Sequence, residues 1–376
     1  MDLICFSHLR WNFVYQRPQH LMSRFTKYFR VFFIEEPVIE EKESFIECNT
    51  NEQVHIVVPH LGAETLPGNR LAVIRSMLHE LVQLYNIEKY IAWFYTPMAI
   101  EWYRSMPPAA LIIYDCMDEL SLFKNAPAHL TAYEMQLLQT ADLVFTGGYG
   151  LYEAKRNFHP AVFPFPSSID KEHFGRARAI TTDPPDQQNI PHPRIGFFGV
   201  IDERFDAALI GEAASLRPHW QFVIVGPVVK IDPAILPQAQ NITYTGNRHY
   251  NELPSYLGGW DAAMIPFAIN DSTKFISPTK TPEYLAGGVP VVSTPVTDVI
   301  RLYGNTGLVY IADGALSFVA QLEQAVVIKN DPSWKRAVDN YLSTISWDVT
   351  WEKMMFEINT KLENKKQQPD KTQLYV

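Results

Sequence analysis

The stretch "STKFISPTKTPEYLAGGVPVVST", residues 272–294, has the pattern of a helix followed by a buried strand. Pro278 stands in the first turn of the expected helix, where the missing N–H of proline costs least, and Ser277 can cap that helix. Gly287 and Gly288 end the helix, and the apolar run "VPVVST" begins a strand. The segment therefore predicts one helix–strand unit of an α/β sheet.

The same alternation extends in both directions from this unit. Strand-like runs in the second half include "RIGFFGV", "WQFVIVG" and "AAMIPF", and runs in the first half include "LICFSH", "VFFIEE", "YIAWFY" and "LIIYD". Continuous apolar strands separated by helix-length segments are typical of parallel sheets buried on both faces. The predicted fold class is α/β, with two doubly wound, Rossmann-like domains.

The length of 376 residues exceeds what a single hydrophobic core usually supports. Residues 176–193 are rich in proline and polar side chains and lack apolar periodicity, which is the composition of a linker. We therefore expect an N-terminal domain over residues 1–175 and a C-terminal domain over residues 194–345. Residues 346–376 are expected to form a closing helix and a polar tail.

The overall composition excludes several classes of protein. A formal net charge of −9 argues against a nucleic-acid binder, because nonspecific attraction to phosphates requires a basic surface. Cys5, Cys48 and Cys116 are scattered and lack metal-ligand spacing, so neither a disulfide framework nor a zinc site is predicted. The N-terminus has no basic region before an apolar run, and no apolar stretch is long enough to span a bilayer. A cytoplasmic location is expected.

The first 34 residues differ in charge from the rest of the chain. No acidic residue lies between Leu3 and Ile34, whereas five basic residues do: Arg10, Arg17, Arg24, Lys27 and Arg30. Such a patch can contact an anionic membrane surface or a lipid-linked diphosphate. A solvated helix face explains it equally well, so peripheral contact with the inner face of a membrane stays one of two interpretations.

A ligand of two facing α/β domains is expected at the carboxyl ends of the strands. The backbone N–H groups of Thr279, Lys280 and Thr281 would lie at the positive end of the predicted helix, a position that suits an anion. Lys280 adds a full charge, which favours a diphosphate, and Glu283 can accept two hydroxyl hydrogen bonds from a ribose. The alternative is a surface ion pair between Lys280 and Glu283 on an ordinary helix.

Further segments of the chain combine with this stretch into a recognisable set: "YQRPQHLMSRF", "YDCMDELSLF", "ADLVFTGGYGL" and "IGFFGVIDERFD". The chain resembles the GT-B glycosyltransferases, in particular bacterial members near family 4 and family 1-like enzymes of surface polysaccharide synthesis, with their "SP-x-K-x-x-EYLA-x-G-x-PVVST" signature. The resemblance implies a GT-B fold, in which two Rossmann-like domains face each other across a cleft. It also implies that Glu283 binds the nucleotide ribose and that Lys280 binds the diphosphate.

The loop after the first strand of the second domain, "GVIDERFD", adds Gly199 and Arg204 to the predicted donor site. Arg204 falls where related enzymes place a lysine that binds the diphosphate, and a second cation there would stabilise the negative charge of the leaving group. The alternative is a surface pair with Asp206. Phe275 departs from the family pattern, because a glutamate that contacts the donor sugar usually stands there, and this leaves the donor and the stereochemical outcome open.

The segment "LIIYDCMDEL" supplies the candidates for the general base. Asp115 ends a buried strand and Asp118 lies one turn further on, and a partly buried carboxylate can have its pKa raised towards neutrality. Asp118 is the first choice and Asp115 the second. The alternative is structural: Asp115 would orient a loop and Asp118 would cap the following helix.

The segment "WNFVYQRPQH", residues 11–20, follows the first strand and is expected to face the cleft. Aromatic faces pack on sugar C–H groups, and amides and guanidinium groups bind hydroxyls or phosphate. Phe13 is expected in the core instead. The predicted sugar-binding residues are Trp11, Asn12, Tyr15, Gln16 and Arg17.

The sequence thus predicts a hexosyltransferase-type enzyme that uses a UDP- or GDP-sugar, with a surface glycan or lipid-linked glycan as acceptor. No Asp-x-Asp triplet occurs, so neither a metal nor another cofactor is expected. A nucleotide-sugar epimerase of the same fold and a non-catalytic nucleotide- or glycan-binding module are the alternatives. A dinucleotide-dependent oxidoreductase is less favoured, because Glu153 replaces the third glycine of "GGYGLYEA" and this stretch closes a domain rather than opening one.

Overall fold

The computed structural model describes residues 1–367; the predicted polar tail, "KKQQPDKTQLYV" from Lys365, is helical in its first three residues and lies outside this range from residue 368 onward. Within it, nine strands form a first sheet in the order β3-β5-β2-β1-β6-β7-β8-β9, parallel except for β4, which pairs antiparallel with β5. The strands are β1 (Asp2–Phe6), β2 (Arg30–Ile34), β3 (Val38–Glu40), β4 (Ser44–Asn49), β5 (Val54–Gly62), β6 (Tyr90–Phe94), β7 (Leu111–Cys116), β8 (Leu143–Thr146) and β9 (Val162–Pro164).

Six strands of the described chain form a second, wholly parallel sheet in the order β12-β11-β10-β13-β14-β15. They are β10 (Arg194–Phe198), β11 (Gln221–Val225), β12 (Ile242–Gly246), β13 (Ala262–Ile265), β14 (Val291–Ser293) and β15 (Val309–Ile311). The central strands of both sheets are fully buried, as expected for sheets covered on both faces. The predicted α/β class with two doubly wound sheets is confirmed.

Helices cover both faces of each sheet. Those of the first half are α1 (Arg17–Phe25), α2 (Arg70–Leu84), α3 (Ile100–Tyr103), α4 (Leu130–Thr140), α5 (Tyr149–Lys155) and α6 (Lys171–Gly175). Those of the second half are α7 (Ala207–Leu216), α8 (Leu253–Gly258), α9 (Lys280–Ala286), α10 (Thr297–Tyr303), α11 (Ala315–Ile328), α12 (Pro332–Leu342) and α13 (Trp347–Gln367). None of the described helices is both long and apolar enough to cross a membrane.

The last helix, α13, returns to the first sheet. Trp347, Trp351, Met354 and Ile358 recur at helical spacing and are buried in the same cluster as residues of α1 and of the first sheet. Each such side chain contributes about 1.5–3 kcal/mol when it is buried. The closing helix α13 thus packs against the N-terminal half of the protein.

The segment expected to be a linker packs on the second sheet. Gln187 is fully buried; its amide donates to the carbonyl of Tyr256, and its oxygen accepts a hydrogen bond from the indole of Trp260. Gly196 on β10 leaves room for the Trp260 ring, since a Cβ there would lie 1.8 Å from it. Within the predicted linker, Gln187 is therefore held by buried hydrogen bonds.

The five basic residues near the N-terminus are all ion-paired, with four carboxylates between them, two of which come from distant parts of the chain. The pairs are Arg10–Glu35, Arg17–Asp115, Arg24–Asp348, Lys27–Asp348 and Arg30–Asp2. These pairings reduce the positive charge of the segment, and the side chains of Lys27 and Arg30 are 57% and 40% exposed. Membrane contact stays one of the two interpretations.

Candidate functional site

The carboxyl ends of the strands in the two sheets face a common cleft, which we call the donor cleft. The first domain lines it with residues 14–16, after β1. The second domain lines it with residues 198–200 and 204 at the end of β10, 225–227 at the end of β11, 247, 248, 250 and 253 after β12, and 279, 280 and 283 at the start of α9. Of the predicted donor residues, Gly199, Arg204, Thr279, Lys280 and Glu283 are brought together here.

Lys280 is the first residue of α9, and its amine lies between two aromatic faces. The Nζ atom is 5.6 Å from the ring centroid of Phe197 and 5.6 Å from that of Phe267. Gly199, at φ +140°, permits this position, because a Cβ there would lie 2.2 Å from Lys280 Cε. Burial lowers the pKa of Lys280, and the nearby Arg204 acts in the same direction against the opposing effect of Glu283. An anion bound beside this amine would gain a poorly solvated cation as its partner.

Glu283 is buried, lines the donor cleft and lies one turn after Thr279. Burial raises the pKa of Glu283, and the charge of Lys280 opposes that shift. Two carboxylate oxygens on the cleft wall, close to a cation, suit a ligand that carries both hydroxyls and a diphosphate. The interpretation of Lys280 and Glu283 as an exposed helix-surface pair is therefore wrong.

The start of α9 differs from the prediction. The helix begins at Lys280 rather than at Pro278, and Ser277 is not its cap; the carbonyl of Ser277 instead accepts a hydrogen bond from the Ser167 hydroxyl. Thr281 faces the interior, where its Oγ1 has no hydrogen-bond partner in the described structure, and its N–H is directed at the carbonyl of Pro278. Thr281 is therefore removed from the candidate site.

Arg204 lines the donor cleft and forms an ion pair with Asp202. Its guanidinium binds both carboxylate oxygens of Asp202, at 2.6 Å for the closest contact, and lies 5.5 Å from the ring centroid of Phe123 in the first domain. Asp206, the partner considered from the sequence, instead caps α7 by accepting the N–H of Leu209. An anion at Arg204 would share the guanidinium with Asp202.

Asp118 lies on the first-domain loop after β7 and is half-buried. Within residues 1–367 its carboxylate makes no hydrogen bond to the protein. Burial raises the pKa of Asp118 to about 6, an effect that Arg204 opposes and Asp202 reinforces. A carboxylate with a pKa near 6 and a free lone pair can accept a proton from a hydroxyl group at neutral pH.

Asp115 and Arg17 are corrected by the structure. Asp115 is fully buried, and Arg17 binds both of its carboxylate oxygens, with a shortest contact of 2.8 Å. Arg17 also donates to the carbonyl of Phe165 at 2.7 Å. Because neither side chain faces the donor cleft, Asp115 cannot accept a proton from an acceptor and Arg17 cannot contact a sugar.

In the loop after β1, the burial of two aromatic residues is the reverse of what the sequence predicted. Trp11, predicted to contact sugar, is only 7% exposed and packs edge-on against Phe33, whereas Phe13, predicted to be core, is 45% exposed. Tyr15 lines the donor cleft, but one of its faces stacks on Tyr250 of the second domain with ring centroids 4.5 Å apart. The position of this loop at the end of β1 does not by itself indicate which of its aromatic rings is buried.

Gln16 also lines the donor cleft, and its backbone N–H donates to the side chain of Gln19 in the first turn of α1. Asn12 is exposed and lies outside the donor cleft, in a neighbouring cavity. Asn247 and Arg248, which line the cleft after β12, were not predicted. Their place directly after "NITYTG" is the signal that could have identified them.

Phe275, at the position of the family's glutamate, packs at the junction of the domains. It lies against the first-domain apolar cluster, and a Cβ on Gly150 would be 3.5 Å from its ring. An apolar side chain is therefore used for packing at the position where the resemblance led us to expect a glutamate.

Solved structures of low sequence identity share this architecture over nearly the whole chain. Sucrose-phosphate synthase from Thermosynechococcus elongatus superposes with a TM-score of 0.68 at 13% identity, covering 96% of this chain and 99% of that one. HepE from Anabaena, in complex with UDP and glucose, superposes with a TM-score of 0.68 at 11% identity, covering 96% of this chain and 100% of that one. The chain has the GT-B fold, as the resemblance implied.

Sequence comparison adds the family of the second domain. Residues 192–326 match the family described as "Glycosyl transferases group 1". The chain is also 27% identical over 165 residues to the putative teichuronic acid biosynthesis glycosyltransferase TuaH of Bacillus subtilis (strain 168). That match covers 43% of this chain and 42% of TuaH, less than half the length of either protein. The protein is thus of GT-B fold with a group 1 glycosyl transferase match in its C-terminal domain.

Proposed function

We propose that the protein is a metal-independent glycosyltransferase that moves a sugar from a nucleoside-diphosphate sugar to a hydroxyl group of a cell-surface or lipid-linked glycan. The observation that carries this proposal is the poorly solvated amine of Lys280, between the rings of Phe197 and Phe267 and near Glu283, in a cleft between two domains. A diphosphate would pair with this amine, and the hydroxyls of a ribose would hydrogen-bond to the carboxylate of Glu283.

The reaction can be written with the residues of this chain. The acceptor hydroxyl loses its proton to Asp118 while its oxygen bonds to the anomeric carbon, and the bond from that carbon to the diphosphate oxygen breaks. The departing nucleoside diphosphate carries away the electron pair, and Lys280 and Arg204 stabilise its negative charge. Closure of the two domains would exclude water and so limit hydrolysis of the donor.

Two findings favour particular substrates. HepE, which shares this fold, was solved with UDP and glucose, so UDP is the first nucleotide to test and GDP the second. TuaH is named for teichuronic acid biosynthesis, which favours a surface polysaccharide as acceptor. Synthesis of such a glycan from nucleotide sugars would take place in the cytoplasm, which is the location we propose.

The test has two stages. A thermal-shift panel of UDP-, GDP-, CMP- and dTDP-sugars identifies the donor, because a ligand that binds the native state raises its melting temperature. Release of nucleoside diphosphate from that donor, with and without glycan acceptors, then measures transfer. An epimerase would alter UDP-GlcNAc without any acceptor, and a non-catalytic module would bind the donor without ever cleaving it.

A further inference from the structure

A second cavity, of about 900 Å³, lies beside the donor cleft, and we call it the side cavity. The first domain lines it with residues 11–15 and with residues 48–52, at the turn between β4 and β5. The second domain lines it with residues 247–251 and 253. The stacked rings of Tyr15 and Tyr250 line both cavities, so the two are neighbours.

Amide side chains dominate the polar part of this lining. Asparagines come from both domains, all of them are exposed, and within residues 1–367 none of their side-chain amides hydrogen-bonds to the protein. An amide offers two donors and one acceptor, which matches the neighbouring hydroxyls of a sugar. The five residues are Asn12, Asn49, Asn51, Asn247 and Asn251.

An exposed aromatic ring accompanies these amides. Phe13 lies on the loop between β1 and α1 and is 45% exposed, although its neighbour Trp11 is buried. A flat apolar face beside uncommitted amides is the combination that binds a sugar ring, whose C–H groups pack on the aromatic face while its hydroxyls bind the amides.

The charges of the side cavity disfavour an anionic occupant. Arg248 is engaged by Asp186 at 2.5 Å and by the hydroxyl of Tyr256 at 2.6 Å. Asp170 caps α6 by accepting the N–H of His173, and Glu52 adds a negative charge. The donor cleft, by contrast, contains Lys280. Phosphate groups therefore suit the donor cleft, and uncharged hydroxyls suit the side cavity.

We propose that the side cavity binds the uncharged sugar residues of a glycan chain, at a site separate from the reaction centre. Lys280 lines the donor cleft, and neither Lys280 nor Asp118 lines the side cavity. A chain held there is therefore bound through residues that do not react. Because both domains line the cavity, a bound glycan contacts both of them. The binding of a glycan in the side cavity does not depend on the proposed function; only the role of that glycan in sugar transfer rests on it.

The test is calorimetric titration of the full chain, without nucleotide, by maltohexaose, cellohexaose, laminarihexaose and chitohexaose. At least one of these neutral hexasaccharides is expected to bind with a dissociation constant below about 1 mM. The double variant Asn12→Ala/Asn251→Ala and the single variant Phe13→Ala should each bind it about tenfold more weakly or worse. These side chains make no internal hydrogen bond or are solvent-exposed, so the variants are expected to fold.

Matched controls are available on the same domain. Asn157 and Phe158 are exposed and lie outside both cavities, so Asn157→Ala and Phe158→Ala should bind the hexasaccharide like the wild-type protein. Binding of none of the four hexasaccharides would overturn the proposal. So would an equal loss in the controls, or tighter binding of hexagalacturonate, whose carboxylates the cavity should reject.

UDP titrations separate this inference from the proposed function. The side-cavity variants should retain UDP affinity, whereas Lys280→Met should lose UDP affinity and retain hexasaccharide binding. A side-cavity variant that loses UDP affinity as strongly as hexasaccharide affinity would assign the cavity to the nucleotide, against the proposal. A protein that binds a hexasaccharide but no nucleotide would contradict the proposed function alone.

Discussion

The carboxylate of Asp298, at the start of α10 in the second domain, accepts a hydrogen bond of 2.9 Å from the backbone N–H of Gly150 in the first. Its other oxygen accepts the N–H of Tyr149, also at 2.9 Å. Gly148 of "GGYG" permits this approach, since a Cβ there would lie 2.1 Å from Asp298. The run that resembled a dinucleotide loop joins the two domains.

Asp298→Asn should weaken this junction. An amide offers a single acceptor oxygen, so its NH₂ group would face one of the two N–H donors, at an expected cost of about 1–3 kcal/mol. Hydrogen exchange should speed up at Tyr149 and Gly150. Asp313→Asn, an exposed carboxylate on the same domain, is the control and should leave exchange unchanged. Unaltered protection in Asp298→Asn would show that the junction is held by other contacts.

Lys280→Met should weaken UDP binding by about 10- to 150-fold, the loss of one charge-assisted contact of about 1.5–3 kcal/mol. Its melting temperature without nucleotide should not fall, because the substitution removes an amine whose pKa is lowered by burial. Titration calorimetry measures the first effect and thermal unfolding the second. Lys274→Ala, an exposed lysine nearby, provides the control. Equal UDP affinity in wild-type protein and Lys280→Met would contradict the assignment of the diphosphate site.

Asp118→Asn should abolish most transfer while leaving UDP affinity within about twofold, because a general base contributes to the transition state rather than to donor binding. In the wild-type protein, kcat/KM should rise with pH through about 6, as Asp118 ionises. The profile of donor consumption against pH is the measurement. Full activity of Asp118→Asn would remove this residue from the mechanism.

The same carboxyl should affect stability in a defined direction. The pKa of Asp118 is about 6 in the folded protein and about 3.9 in an unfolded chain, so the folded state binds the proton more tightly. The contribution of Asp118 to the free energy of unfolding is therefore present below pH 4 and is lost as the pH rises from about 4 to 6. Asp118→Asn should make the protein as stable or more stable at pH 7.5, by up to about 2–3 kcal/mol. Destabilisation at pH 7.5 would mean that the carboxylate has a structural role.

Gly199→Ala should reduce both stability and UDP affinity. The new Cβ would displace the Lys280 side chain, and φ +140° is a conformation that alanine rarely adopts. A destabilisation of about 1–3 kcal/mol is expected from the overpacking. Gly68→Ala, at a position with nothing within 4 Å of a Cβ, should be close to neutral in urea unfolding. A neutral Gly199→Ala would show that Lys280 moves without cost.

Arg17→Met should destabilise the fold by about 3–5 kcal/mol, because it leaves the carboxylate of Asp115 buried and unpaired. Lys27→Ala breaks an exposed pair with Asp348 and should cost less than about 1 kcal/mol. Urea unfolding of both variants gives the comparison. A small effect of Arg17→Met would return Arg17 and Asp115 to the candidate site, since their roles would then not be structural.

The sequence by itself determined the α/β alternation, the two sheets and the position of the donor cleft. These follow from local rules: apolar runs of strand length separated by helices specify buried parallel sheets, and the ends of such strands place Gly199, Lys280 and Glu283 at one edge. The GT-B fold followed from the order of five segments along the chain.

Only the tertiary structure decided how individual side chains are used. Arg17 and Asp115 are 98 residues apart and Arg24 and Asp348 are 324 apart, so no local pattern shows that the basic residues are paired. Trp11 and Phe13 lie two residues apart on the same short loop, and Trp11 is the one that packs on Phe33 from another strand. Ionic and aromatic contacts depend on which segments the fold brings together. Hydrophobic periodicity predicts helices and strands but does not identify the partners of such contacts.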